Sequence, residues 1–150
     1  MTLTKVKTLY DSDFALWIEE TVNLLKSGNL AEADLDNLIE EIESLVRKDK
    51  RELENRLTTL FEHALKRCYV PLPDCYRGWE NTLKRTQKEL KKILRDSPSL
   101  KKYFQDVWEE CYQDAVDNII DEYDIIFPDI CPFSNDINEL LNNKFWKIVP

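Results

Sequence analysis

DLDNLIEEIESLVRKDKRELENRLTTLFEHALKRCY, residues 34–69, has neither Gly nor Pro and carries a helical apolar repeat from end to end. Leu35, Leu38, Ile39, Ile42, Val46, Leu53, Leu57, Leu60, Phe61, Ala64, Leu65 and Cys68 recur at three- and four-residue spacings. That is the period of one face of an α-helix. At 1.5 Å per residue, such a helix spans roughly 50 Å if unbroken. The apolar seam is interrupted once, at Arg47-Lys48-Asp49-Lys50-Arg51-Glu52. Six charged residues in succession leave nothing for a core to hold, so the helix either overhangs solvent there or bends.

The flanking sequence reads as further helices. Asp11 or Ser12 can cap a first helix that stops at Ser27-Gly28, where Gly tolerates the left-handed conformation. Its shared face is Phe14, Trp17, Ile18, Thr21, Leu24 and Leu25. Pro71 and Pro73 end the long helix. A third helix is expected from about Arg77 to Arg95, with Trp79, Leu83, Thr86, Leu90, Ile93 and Leu94 turned inward. Ser97 and Pro98 suit the cap and first position of a fourth helix. That helix is expected to carry Leu100, Tyr103, Phe104, Val107, Trp108, Cys111, Tyr112, Ala115 and Ile119 on a drifting apolar stripe and to run to about Ile126, before Phe127-Pro128. A short helix near Asp136 to Leu141, followed by Phe145-Trp146, then covers one end.

The expected fold is therefore all-α. It is a mostly antiparallel bundle of four main helices, with one long spine helix and a short C-terminal helix. Only two Gly, and six Pro confined to positions 71 onward, suit long helices and poorly suit a sheet with tight turns. A length of 150 residues, 43% apolar, is enough for a real core. With no linker, repeat or low-complexity segment, residues 1–150 read as a single domain.

Once these elements are placed, the order of motifs carries a resemblance. Tyr10-x-x-Asp13-Phe14-x-x-Trp17 is followed by Asp36-Asn37-Leu38-Ile39-Glu40-Glu41-Ile42-Glu43-Ser44-Leu45. Then come His63-x-Leu65-Lys66, Trp79-x-x-Thr82, Asp96-Ser97-Pro98-Ser99-Leu100 and Phe127-Pro128-x-x-Cys131-Pro132. Over about residues 8–147 the chain resembles domain-of-unknown-function family 29, small helical proteins abundant in cyanobacteria. The resemblance implies an all-α bundle and a cyanobacterial source, and it implies no activity, cofactor or partner.

No run approaches the ~18 apolar residues of a membrane helix, and the N-terminus lacks an apolar signal core. Cys68, Cys75, Cys111 and Cys131 have neither zinc-knuckle pairing nor the density of a disulfide scaffold. Together these features point to a cytoplasmic protein with reduced thiols and no membrane partner.

Few residues suggest chemistry. Asp36, Glu40, Glu43 and Arg47 fall at intervals of four, three and four, so they line one helical stripe beside the apolar seam. Glu43 is expected to be partly buried, with a partner from another helix. Asp36, Glu40, Glu43 and His63 form the candidate semi-buried polar group. A tuned carboxylate can act as a base or metal ligand, although it more commonly serves as a structural tie. His63 could act as base to Cys68 or Cys75, yet no third orienting residue is evident. These three residues also lack the paired spacing of a zinc site. No catalytic, cofactor-binding or metal-ligating residue is assigned.

Charge is segregated along the chain. Residues 76–105 carry nine bases against three acids, residues 106–150 two against eleven, and residues 31–55 four against nine. On the third helix Lys84, Lys88, Lys91, Lys92 and Arg95 point away from Trp79, Leu83 and Leu90 and form a basic ridge. This ridge is the candidate interaction surface. A net charge of −8 and the lack of aromatics on the ridge weigh against nucleic acid.

The expected role is a non-catalytic protein–protein interaction module with an unknown protein partner. It could also self-associate, the ridge of one copy meeting an acidic face of another in a two-fold arrangement. One alternative is a metal-dependent hydrolase or nucleotide-handling enzyme using Asp36, Glu40 and Glu43. Another is an accessory protein associated with nucleic acid. A further alternative is an accessory protein paired with a basic partner, its acidic fourth helix (Asp106, Glu109, Glu110, Asp114, Asp117, Asp121) mimicking or masking an anionic ligand.

Overall fold

A computed structural model describes residues 9–147. Among them there is no strand. The helices are α1 (Phe14–Lys26), α2 (Leu35–Tyr69), α3 (Pro73–Asp96), α4 (Leu100–Ile119) and α5 (Ile137–Asn142), with 3-10 turns at Leu30–Glu32 and Phe145–Lys147. The fold is an all-α bundle. Residues 9–12 are also helical, and Asp13 breaks from them to cap α1, its carboxylate accepting from the Leu16 amide at 3.1 Å. The cap is thus Asp13, one or two residues later than Asp11 or Ser12. Gly28 takes φ +79° after Ser27 and stops the helix as expected.

The chain divides into two compact units, the division falling between Lys48 and Asp49, inside the Arg47–Glu52 charged run. The sequence contains no Gly or Pro linker that would mark this division, because it falls inside α2. Each unit has its own contacts.

In the first unit, residues 9–48, α1 and the N-terminal part of α2 form an antiparallel hairpin. The order of contacts shows this: Trp17 meets Asp34, and the earlier Tyr10 meets the later Glu41. Burial is slight. Trp17, Thr21, Ala33 and Asp34 are buried, while Phe14, Ile18, Val22 and Leu25 on α1 are exposed. Leu35, Ile39, Ile42, Leu45 and Val46 on α2 are exposed too. The expectation that Phe14, Ile18, Leu25, Leu35, Ile39, Ile42 and Val46 face a core is corrected here.

In the second unit, residues 49–147, the same helical repeat is fully used. Leu53, Leu57, Leu60, Phe61, Ala64 and Leu65 are completely buried against α3, α4 and the C-terminal segment. Arg56 pairs with Glu89 at 2.8 Å and Arg67 lies 3.9 Å from Glu80, so α2 and α3 run antiparallel. Along α4, Lys50 lies over Tyr103, Phe61 packs on Tyr112, and Lys66 reaches Glu122, so α2 and α4 run parallel. The three helices go up, down and up through short connections. Phe133 stacks on Phe61 with centroids 5.9 Å apart and closes one side of the core.

Three more boundaries differ from expectation. Pro73 sits in the first turn of α3 and opens it, four residues ahead of Arg77. Ser97 ends α3, its amide bonding the Ile93 carbonyl, and makes no side-chain cap for α4. α4 stops at Ile119 instead of Ile126, where Asp117, Asp121, Glu122 and Asp124 crowd its C-terminal end with no base in the last turn. Carboxylates oppose the helix dipole at that end.

Candidate functional site

The predicted basic ridge is on the surface, with Lys84, Lys88, Lys91, Lys92 and Arg95 all exposed. Four of the five surround a groove of about 590 Å³; Lys84 does not line it. Lys101, one residue into α4, completes the cationic rim, while Leu94, Ile137 and Leu141 provide apolar floor and Asn138 and Asn142 provide amides. No carboxylate lines it. Arg95 has Asp96 at 3.6 Å, but among the described residues Lys88, Lys91, Lys92 and Lys101 have no carboxylate within ion-pair reach.

The wall formed by α5 is held by a residue that sequence reasoning missed. Gln87, buried on α3, donates through Nε2 to the Leu140 carbonyl at 2.7 Å and the Asn143 carbonyl at 2.9 Å. These are carbonyls at the C-terminal end of α5, which have no partner within so short a helix. Asp136 caps the other end by accepting from the Asn138 amide. Gln87 therefore fixes the position of Asn138, Leu141 and Asn142 beside the lysines. A Gln among the inward positions of an amphipathic helix was the available signal.

The proposed carboxylate group does not assemble. Glu40 and Glu43 have side chains 58% and 61% exposed, and both lie against Arg47 on their own helix. Asp36 is exposed, and His63 belongs to the other unit. The partly buried Glu43 with a partner from another helix is thus corrected to a solvent-facing side chain. The carboxylates that do tie the first unit together are Asp34 and Glu41. Asp34 is wholly buried and accepts from Trp17 Nε1 at 3.4 Å and Asn37 Nδ2 at 2.6 Å. Glu41 accepts from the Tyr10 hydroxyl, which with nearby carboxylates pushes that phenol up to about 12. Buried Trp and Tyr need polar partners, and this requirement could have found both.

The thiol chemistry considered for His63 is also not assembled. Nδ1 of His63 lies 3.0 Å from the Thr59 carbonyl, and burial lowers the imidazole pKa. Burial pushes the Cys68 and Cys111 thiols up to about 11 and Cys131 up to about 12. A thiol held that high stays protonated near neutrality and is a poor nucleophile. Cys75 is exposed, and all four cysteines are free. Among the described residues no three His, Cys, Asp or Glu side chains converge as a metal site, and no helix is long and apolar enough to cross a membrane.

No curated protein and no solved structure matches the chain significantly. The model of one family, described as Domain of unknown function DUF29, matches residues 9–146, and the chain belongs to that family.

Proposed function

We propose that the protein is a non-catalytic protein–protein interaction module, working in the reducing cytoplasm, whose groove along α3 receives an acidic, partly apolar segment of a partner. The observation that carries this reading is the rim of five cations with no carboxylate, set around an apolar floor. Like charges at i,i+3 and i,i+4 on one helix oppose each other by about 0.2–0.5 kcal/mol per pair. Lys88–Lys91, Lys88–Lys92 and Lys91–Arg95 are such pairs. A chain of net charge −8 that gathers its bases here sets like charges beside one another. It gains an electrostatic target for an anionic partner, while Leu94, Ile137 and Leu141 supply apolar contact that a purely charged ligand would leave unused.

The test uses a fluorescein-labelled synthetic peptide that forms an acidic amphipathic helix, with Leu at i, i+4 and i+7 and Glu between. Anisotropy should show salt-sensitive binding that K88E/K91E/K92E abolishes without lowering the melting temperature. Equal binding to that variant, no binding to either protein, or tighter groove-dependent binding of a single-stranded oligonucleotide of equal charge would overturn the reading.

A further inference from the structure

Resting on that reading, we infer that the groove's occupant is a second copy of this chain, presenting the exposed apolar stripe of α2 with its acidic border. Leu35, Ile39, Ile42 and Val46 follow at intervals of four, three and four, which at about 100° per residue confines them to an arc of roughly 60°. All four are exposed, between 43% and 56%. This row has the anchor pattern of a helix that lies in a groove. Asp36, Glu40 and Glu43 run alongside it, about 100° around the same helix. Arg47 pairs with Glu40 and Glu43 and offsets only part of that charge.

The match with the groove is one of both charge and hydropathy. Four apolar anchors bordered by acids face an apolar floor bordered by bases. Pairing this stripe with its own counterpart on another copy is disfavoured, because residues 9–48 carry ten acids against three bases, a net of −7. Two such surfaces repel, so the apolar face on its own does not select a like partner. Ile126 and Ile130 are more exposed still and stand among acids, but they lie in a loop without helical spacing. They give two isolated contacts where the stripe gives a row.

Sedimentation velocity on the whole chain tests the assignment. The wild type should exceed its 17.9 kDa chain mass as concentration rises, with association weakening at least ~10-fold from 50 to 300 mM salt. The groove variant K88E/K91E/K92E and the stripe variant D36K/E40K/E43K should each remain at chain mass. Mixed one to one, they should associate again, because each native surface then meets its native complement and each reversed surface meets a reversed one. Matched circular dichroism spectra keep misfolding from imitating the result. A wild type that stays at chain mass up to ~1 mM, or folded variants that fail to recover on mixing, would overturn the second-copy assignment. If the acidic peptide still binds the groove in that case, the interaction module stands and its occupant is another protein; if it does not, both fall.

Discussion

The two halves of α2 share one repeat and have opposite fates. From Leu53 to Leu65 every inward position is completely buried, whereas Leu35, Ile39, Ile42 and Val46 stand about half exposed. Leu, Ile and Val supply the first half and Leu, Phe and Ala the second at the same three- and four-residue spacing, so period does not separate them. The difference lies in what is available to cover them. The C-terminal half has α3, α4 and the aromatic tail within its own unit, while the N-terminal half has, among the described residues, α1 and the helical turn before it, which take up one side. Periodicity therefore reports that a face is apolar, and the number of neighbouring elements decides whether it is core or surface.

Substitutions offer the sharpest way to break this comparison. Phe61→Ala should cost about 3–5 kcal/mol in chemical denaturation, since Phe61 packs on Trp108, Tyr112 and Phe133. Ile42→Ala, measured on dilute protein, should cost under ~1 kcal/mol, because little of its surface leaves water. Equal losses would show that the exposed stripe is core after all. Gln87→Ala should cost about 1–3 kcal/mol by leaving two carbonyls of the α5 end unpaired. Its amides at 137–142 should then exchange faster, and unchanged exchange would remove Gln87 from its positioning role.

A third effect is smaller and depends on pH. Burial lowers the His63 pKa, the hydrogen bond with the Thr59 carbonyl and the charge of Glu122 oppose the shift, and Lys66 and Arg85 add to it. The unfolded chain then binds the proton more readily, so His63 supports stability above about pH 6.5 and that support is lost as pH falls through the folded pKa. His63→Gln should flatten this acid-side loss in a urea series from pH 7.5 to 5. A slope that is unchanged would place the loss elsewhere. The smallest expected effect has the opposite sign. Lys91→Gln removes two like-charge pairs on α3 and should raise stability by about 0.5 kcal/mol while weakening acidic-peptide binding. Lower stability would mean that Lys91 has a structural partner.

Much of the architecture was legible before any coordinates. Leu53 to Leu65, the Gly28 stop, the short helix near Asp136 to Leu141 and the exposure of the basic ridge all follow from local pattern, because one helix turn or one face decides each of them. The groove was only half legible. Lys88, Lys91, Lys92 and Arg95 share a helix face, and Lys101 joins them through the short turn into α4, but Asn138 and Asn142 join them only because Gln87 docks α5 beside α3. That contact links positions more than fifty residues apart, which no helical period encodes. The carboxylates went astray for a related reason. Glu43 borders the apolar seam by angle, yet its side chain stays exposed and among the described residues no helix covers that border, while Asp34 and Glu41 are held toward the first helix by Trp17 and Tyr10.

Hydrogen–deuterium exchange at low and high protein concentration tests the central claim most directly, because it reads both surfaces in one unmodified chain. The account predicts that amides of residues 35–46 and of α5 gain protection together as concentration rises, and that residues 53–65 are protected alike at both concentrations. Exchange at 35–46 and 137–142 that is independent of concentration, or protection gained at only one of the two, would contradict it.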